Sequence, residues 1–145
     1  MSTAVSSMDK KEVIRELYKN AQMGVDSIEV IKNYVEDRPL INILNNQKRD
    51  YQTISDELEQ EGAKENIDLR TSPLKNKAKV WGEIVISTIK DKSPSKIAEI
   101  MMQGVNMGII GLSRIENRYE GERDPYIDKL QNLYKANLEA FRPFL

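Results

Sequence analysis

Proline set directly behind a helix-capping residue is the feature that most limits what this chain can become. Ser72-Pro73, Ser93-Pro94 and Asp124-Pro125 each place an oxygen-bearing side chain in front of a proline. The oxygen can accept from a free backbone N–H of the first turn, and proline has no N–H to lose there, so each pair marks a helix start. Asp37-Arg38-Pro39 is a looser version, and Asp9 with Glu12 has the spacing of a capping box. These starts predict five helices: α1 over 9–35, α2 over 39–61, α3 over 73–90, α4 over 94–120 and α5 over 125–143. Residues 1–8 read as a disordered N-terminal tail ahead of one helical domain over 9–145, and the polar stretch 62–71 as the long connection. Segment 83–89 is rich in β-branched residues, yet it lies inside a capped segment with no partner strand, so a helix is expected.

Apolar residues then recur at helical spacing. α1 aligns Val13, Leu17, Ala21, Gly24, Ile28, Ile31 and Val35, and α2 aligns Leu40, Leu44, Tyr51, Ile54 and Leu58. α4 offers Ile97, Ile100, Gly104, Gly108, Gly111 and Ile115, and α5 offers Ile127, Leu130, Leu133, Leu138 and Phe141. These four helices, roughly 30 to 40 Å long at 1.5 Å per residue, suit an all-α four-helix bundle made of two hairpins. α3 becomes the crossover that lays the second hairpin beside the first. Trp81, beside Val85, would anchor α3 to the bundle or to a second copy, and a homodimer through α3 and Trp81 is the expected assembly.

The chain has no histidine and no cysteine in 145 residues, against 23 acidic side chains. Zinc, copper, haem, iron–sulfur and non-haem iron sites rely on imidazole or thiolate, so carboxylate, hydroxyl and lysine chemistry is what remains. No P-loop, dinucleotide fingerprint, nucleophile elbow or EF-hand spacing occurs. A net charge of −1 offers no general attraction to nucleic acid or anionic membrane, and no apolar run approaches the ~20 residues of a membrane span. A start without signal-peptide features and a chain without cysteine lead to the expectation of a cytoplasmic protein. Lys75, Lys77, Lys79, Lys90, Lys92 and Lys96 gather around α3 and read as a solvated face, with a phosphate-binding or acid-binding patch as the alternative. Met101, Met102 and Met107 read as core filler or an adaptable contact surface.

Two further patterns concern the interior. Gln22-Met23-Gly24-Val25 in α1 matches Asn106-Met107-Gly108-Ile109 in α4. A glycine inside a helix costs about 0.5 to 1 kcal/mol relative to alanine, so the match calls for a packing reason. Close approach of the α1 and α4 backbones at Gly24 and Gly108 is expected, with Gly104 and Gly111 in the same small-residue stripe; chance similarity is the alternative. Asn20, Gln47, Tyr51, Tyr134 and Asn137 lie at or beside the stripes near mid-helix. Amides and phenols can satisfy one another without a cation, whereas clustered carboxylates need a metal or a shared proton. A buried network that fixes helix register is expected, with a pocket for a small polar ligand as the functional alternative. Steps of 100° put Asp26, Glu29 and Glu139 away from the stripes, and leave Glu16, which flanks one, as the best candidate for an oxygen-only manganese, magnesium or calcium site.

Tyr18-Lys19-Asn20-Ala21-Gln22-Met23-Gly24, with Ser95-Lys96-Ile97-Ala98-Glu99 through Gln103-Gly104 and Met107-Gly108-Ile109, resembles an uncharacterised bacterial family of ferritin-like four-helix-bundle proteins. The likeness covers α1 and α4 by residue and α2, α3 and α5 by pattern. It implies a fold. The wider superfamily's metal signature needs a Glu-x-x-His pair on each of two helices, which a chain without histidine cannot supply. The expectation is therefore a non-enzymatic bundle without a cofactor, serving a structural or protein-interaction role. The alternative is a divalent-metal protein with an oxygen-only site.

Overall fold

The computed structural model describes residues 7–71 and 74–145, apart from the side chains at 71, 74–79 and 81. The helices are α1 Lys10–Ile31, α2 Arg38–Lys64, α3 Leu74–Thr88, α4 Pro94–Arg118 and α5 Pro125–Phe141. No strand occurs among the described residues. The capping oxygens do what their sequence positions require. Asp9 accepts from the Glu12 N–H at 2.8 Å, Asp37 from Leu40 at 3.0 Å, Ser93 from Lys96 at 3.2 Å and Asp124 from Tyr126 at 2.8 Å. The Ser72-Pro73 start lies outside the described residues.

Helix ends depart from expectation where tertiary contacts intervene. α1 stops at Ile31 and tightens into a 3-10 turn over Lys32–Tyr34, after which Val35 turns extended and buries its side chain. α2 runs on to Lys64. It ends where Asn66 adopts a left-handed φ of 60° and the N–H groups of Glu65 and Ile67 both return to the Gly62 carbonyl. Leu69 folds back onto Gly62 and is buried, so 62–71 is tied to the core and not a loose connection. The 83–89 segment stays helical through Thr88, with Ile86 buried. The expected tail is corrected at its last residue. Met8 is buried and its N–H donates to the Arg118 carbonyl at 3.0 Å, one of the acceptors that a helix C-terminus leaves free. Residues 1–6 lie outside the described residues.

α1 packs on α2, α4 on α5, and the two pairs meet through α1 with α4 and α2 with α5. Every α1 and α2 stripe residue except Gly24 is buried, as are Ile97, Ile100 and Ile115 of α4 and Ile127, Leu130, Leu133 and Phe141 of α5. α3 also lies along α1, where bare backbone at Gly82 meets Val30: a Cβ there would fall 2.9 Å from its side chain. One expectation is overturned at α1. Asp26 is buried and not solvated; it accepts from Gln22 Nε2 at 3.0 Å, while Gln22 Oε1 accepts from the Ser55 hydroxyl at 2.9 Å. Glu29 and Glu139 are exposed, as the helical steps require. No helix among the described residues is long and apolar enough to cross a membrane.

Candidate functional site

Tyr51 on α2 and Tyr134 on α5 reach the centre, where their ring centroids stand 6.1 Å apart with planes tilted by 53°. Both rings lie against glycine. A Cβ at Gly24 would sit 2.6 Å from the Tyr51 ring, and one at Gly108 would sit 2.7 Å from the Tyr134 ring. The matched glycines thus have a packing reason, but a different one from that expected: each seats a tyrosine from the other helix of its own hairpin. Gly111 does face α1, where its Cβ would meet the Asn20 side chain at 3.3 Å. Gly104 corrects the close-packing expectation, since nothing lies within 4 Å of its missing Cβ.

The inward amides divide their work. Asn137 Nδ2 donates to the Tyr51 hydroxyl at 3.0 Å, and Asn20 Nδ2 donates to the Gly108 carbonyl at 3.1 Å. Burial pushes the Tyr51 phenol up to about 12, with the Asn137 donor pulling the other way. Tyr134 is raised further, by burial first and then by Tyr51, against an opposing hydrogen bond from Asn20. Gln47 joins neither pair. It is 4% exposed, and its Nε2 has no hydrogen-bond partner. A buried donor left unmade costs about 1–3 kcal/mol.

All of these side chains but Asn137 border a cavity of about 380 Å³ between α1, α2, α4 and α5. Asn20, Gln47, Tyr51 and Tyr134 are among its polar lining residues, Met23, Met101, Met107 and Val105 among its apolar ones, and Gly104 lines it too. Among the described residues, no lining side chain is charged, and none is of a type that titrates near neutrality. Carboxylates do not converge. Glu16 is half-exposed and pairs with Lys19 at 3.3 Å, and no group of three acidic side chains able to hold a metal occurs among the described residues.

Other sequence candidates fall elsewhere. Lys96 pairs with Glu99 at 2.9 Å, and Lys92 Nζ lies 5.2 Å from the centre of the Tyr34 ring, so two of the six clustered lysines are engaged within the fold. The side chains of Lys75, Lys77, Lys79 and Trp81 lie outside the described residues. Met23, Ser27 and Val105 were missed as cavity residues. The one sequence signal for the void was Gly104, a helical glycine with no large ring to seat.

Gly104→Ala is expected to raise the midpoint of thermal unfolding. The new methyl gains up to about 1 kcal/mol of helix propensity and meets nothing, worth about 3 °C for a chain of this size. A melt followed by circular dichroism checks this, and a lowered midpoint would mean that the glycine is in contact after all.

The chain matches no family model, no curated protein and no solved structure.

Proposed function

We propose that this protein is a ferritin-like helical bundle that works by binding a small molecule between its four long helices and not by catalysis. The observation that carries the reading is a pocket of about 380 Å³ at the meeting of these helices, beside a helical glycine, Gly104, with nothing within 4 Å of its missing Cβ. Close-packed interiors hold few voids larger than a water molecule. A pocket of this size supports the reading that a small molecule fills it.

The ferritin-like part is supported by two helical hairpins joined through α3, and by the mid-helix position of the inward polar groups, where that superfamily places its metal ligands. Here those positions carry amides and phenols. An oxygen-only metal site has less support, because Glu16 is turned to Lys19. Self-association through α3 belongs to the same reading, since Val80 and Ile84 stand exposed one turn apart. Sedimentation as a monomer would remove that part.

The test is a thermal melt of the full chain against a collection of charged and uncharged small molecules, and separately against manganese, magnesium and calcium. At least one compound should raise the midpoint by several degrees, and Gly104→Leu, which fills the cavity, should abolish the shift. A rise with a divalent cation and with no organic compound would replace this reading with a metal site.

A further inference from the structure

Resting on the binding reading above, we propose that Met107 is a site of reversible oxidation by peroxide, and that its sulfoxide weakens the hold of the pocket on apolar molecules. With no cysteine in the chain, methionine thioethers are its only sulfur, and its six methionines are not equally open to a reagent. Met8 and Met101 are buried, at 6% and 7% exposure, and Met23 and Met102 are half-buried, whereas Met107 is 61% exposed. Met1 lies outside the described residues. Among the described methionines, peroxide meets Met107 first.

Position gives the oxidation a consequence. Met107 lines the cavity and also stands in water, so it marks where the cavity meets solvent. Met23, its counterpart in the matched segment of α1, lines the same cavity but is half covered. Met107 sits on regular helix, one turn beyond Gly104 and directly before Gly108, so α4 fixes where the side chain starts while its unbranched stem leaves the sulfur free to adjust.

The step oxidises sulfur and reduces peroxide. The thioether sulfur attacks one oxygen of hydrogen peroxide, the O–O bond breaks, an S–O bond forms, and the remaining oxygen leaves as water after proton transfer. The product is a sulfoxide, a polar acceptor in place of an apolar group. A molecule that covers the thioether displaces loosely held water, whereas one that covers the sulfoxide must strip water from an acceptor. No charged side chain among the described lining residues stands ready to replace that water. Methionine sulfoxide reductase reverses the change, taking its reducing power from a dithiol that leaves as a disulfide together with water.

Hydrogen peroxide and N-phenyl-1-naphthylamine, an uncharged dye whose fluorescence rises in apolar surroundings, test the proposal on the full chain. Peptide mass mapping after brief exposure should find oxygen added at Met107 at least about tenfold faster than at Met8 or Met101, which must wait for the fold to open, with the helical circular dichroism unchanged. Dye affinity should fall about tenfold on oxidation and return after treatment with the reductase and dithiothreitol. Met107→Gln should weaken the dye without peroxide, and the peroxide-dependent loss should vanish in Met107→Leu, whatever the starting affinity of that variant. Should the dye not bind while a compound of the wider collection raises the melting midpoint, that compound takes the place of the dye. Oxidation of Met107 no faster than that of Met8, parent affinity unchanged by oxidation, or a loss that persists in Met107→Leu overturns the switch and leaves the binding site standing. No dye binding to the unoxidised parent, together with no melt shift across the collection, overturns both.

Discussion

Gly24→Leu is expected to cost more than about 3 kcal/mol or to prevent folding altogether, and Gly108→Leu to behave alike. A single methyl would already lie under 3 Å from three ring atoms of Tyr51 at Gly24, and from a ring carbon and the hydroxyl oxygen of Tyr134 at Gly108. Neither ring has an easy retreat. Tyr51 is packed against Tyr134 and held at its hydroxyl by Asn137, and Tyr134 is buried beside Asn20. Overpacking a core commonly costs about 1–3 kcal/mol, and leucine adds three more carbons beyond the first clash. Against this stands a gain of up to about 1 kcal/mol from replacing a helical glycine, too small to change the sign. Denaturant unfolding measures the loss, and the milder Gly24→Ala combined with Tyr51→Leu identifies its source. If the ring is the obstacle, the double variant should be less destabilised than the two single losses added together. A Gly24→Leu protein as stable as the parent would remove the glycine seat from the account.

The second large effect is alkaline. Tyr51 is raised to about 12 from the ordinary 10, and Tyr18 and Tyr126 also to about 12, each by burial first and then by acidic neighbours in the last two cases. For Tyr18 the leading neighbour is Glu59, whose carboxylate accepts from its hydroxyl at 2.9 Å. A folded-state value above the unfolded one means that the unfolded chain gives up its protons first. The associated stability is therefore whole below pH 10 and is lost as the pH climbs from 10 towards 12. For the well-buried Tyr51 alone, two units correspond to about 3 kcal/mol by the upper end of that window. Tyrosinate absorbance recorded alongside circular dichroism should show some tyrosines ionising near their ordinary value and others only as the helix signal collapses. Smooth ionisation of all six tyrosines on an intact fold would contradict the buried central pair.

What the sequence disclosed depended on how local the cause was. Helix starts at Asp9, Asp37, Ser93 and Asp124 were legible because a cap is a bond between residues two or three apart. Ends were not. α1 stops short because Val35 buries itself in an extended conformation, and α2 overruns because Leu69 covers Gly62. Angular steps around α1 placed Asp26 in water by assuming one buried face, whereas α2, α3 and α4 all lie against that helix. The inward group Asn20, Gln47, Tyr51, Tyr134 and Asn137 could be read from periodicity, but its pairings could not. They depend on the axial register of helices that are far apart in the chain. The cavity had still less of a signature, since missing volume is a property of how side chains meet.

The glycine seats also bear on the order in which the protein assembles. Tyr51 reaches Gly24 within the first hairpin and Tyr134 reaches Gly108 within the second, so each half can close its own joint over a short loop. The central bonds Tyr51–Asn137 and Asn20–Gly108 instead span 86 and 88 residues. Long loops close against a greater entropy, and local contacts form sooner. As the chain leaves the ribosome, the first hairpin can set its tyrosine before α4 has been made, and the amides act last, as latches between two halves already shaped.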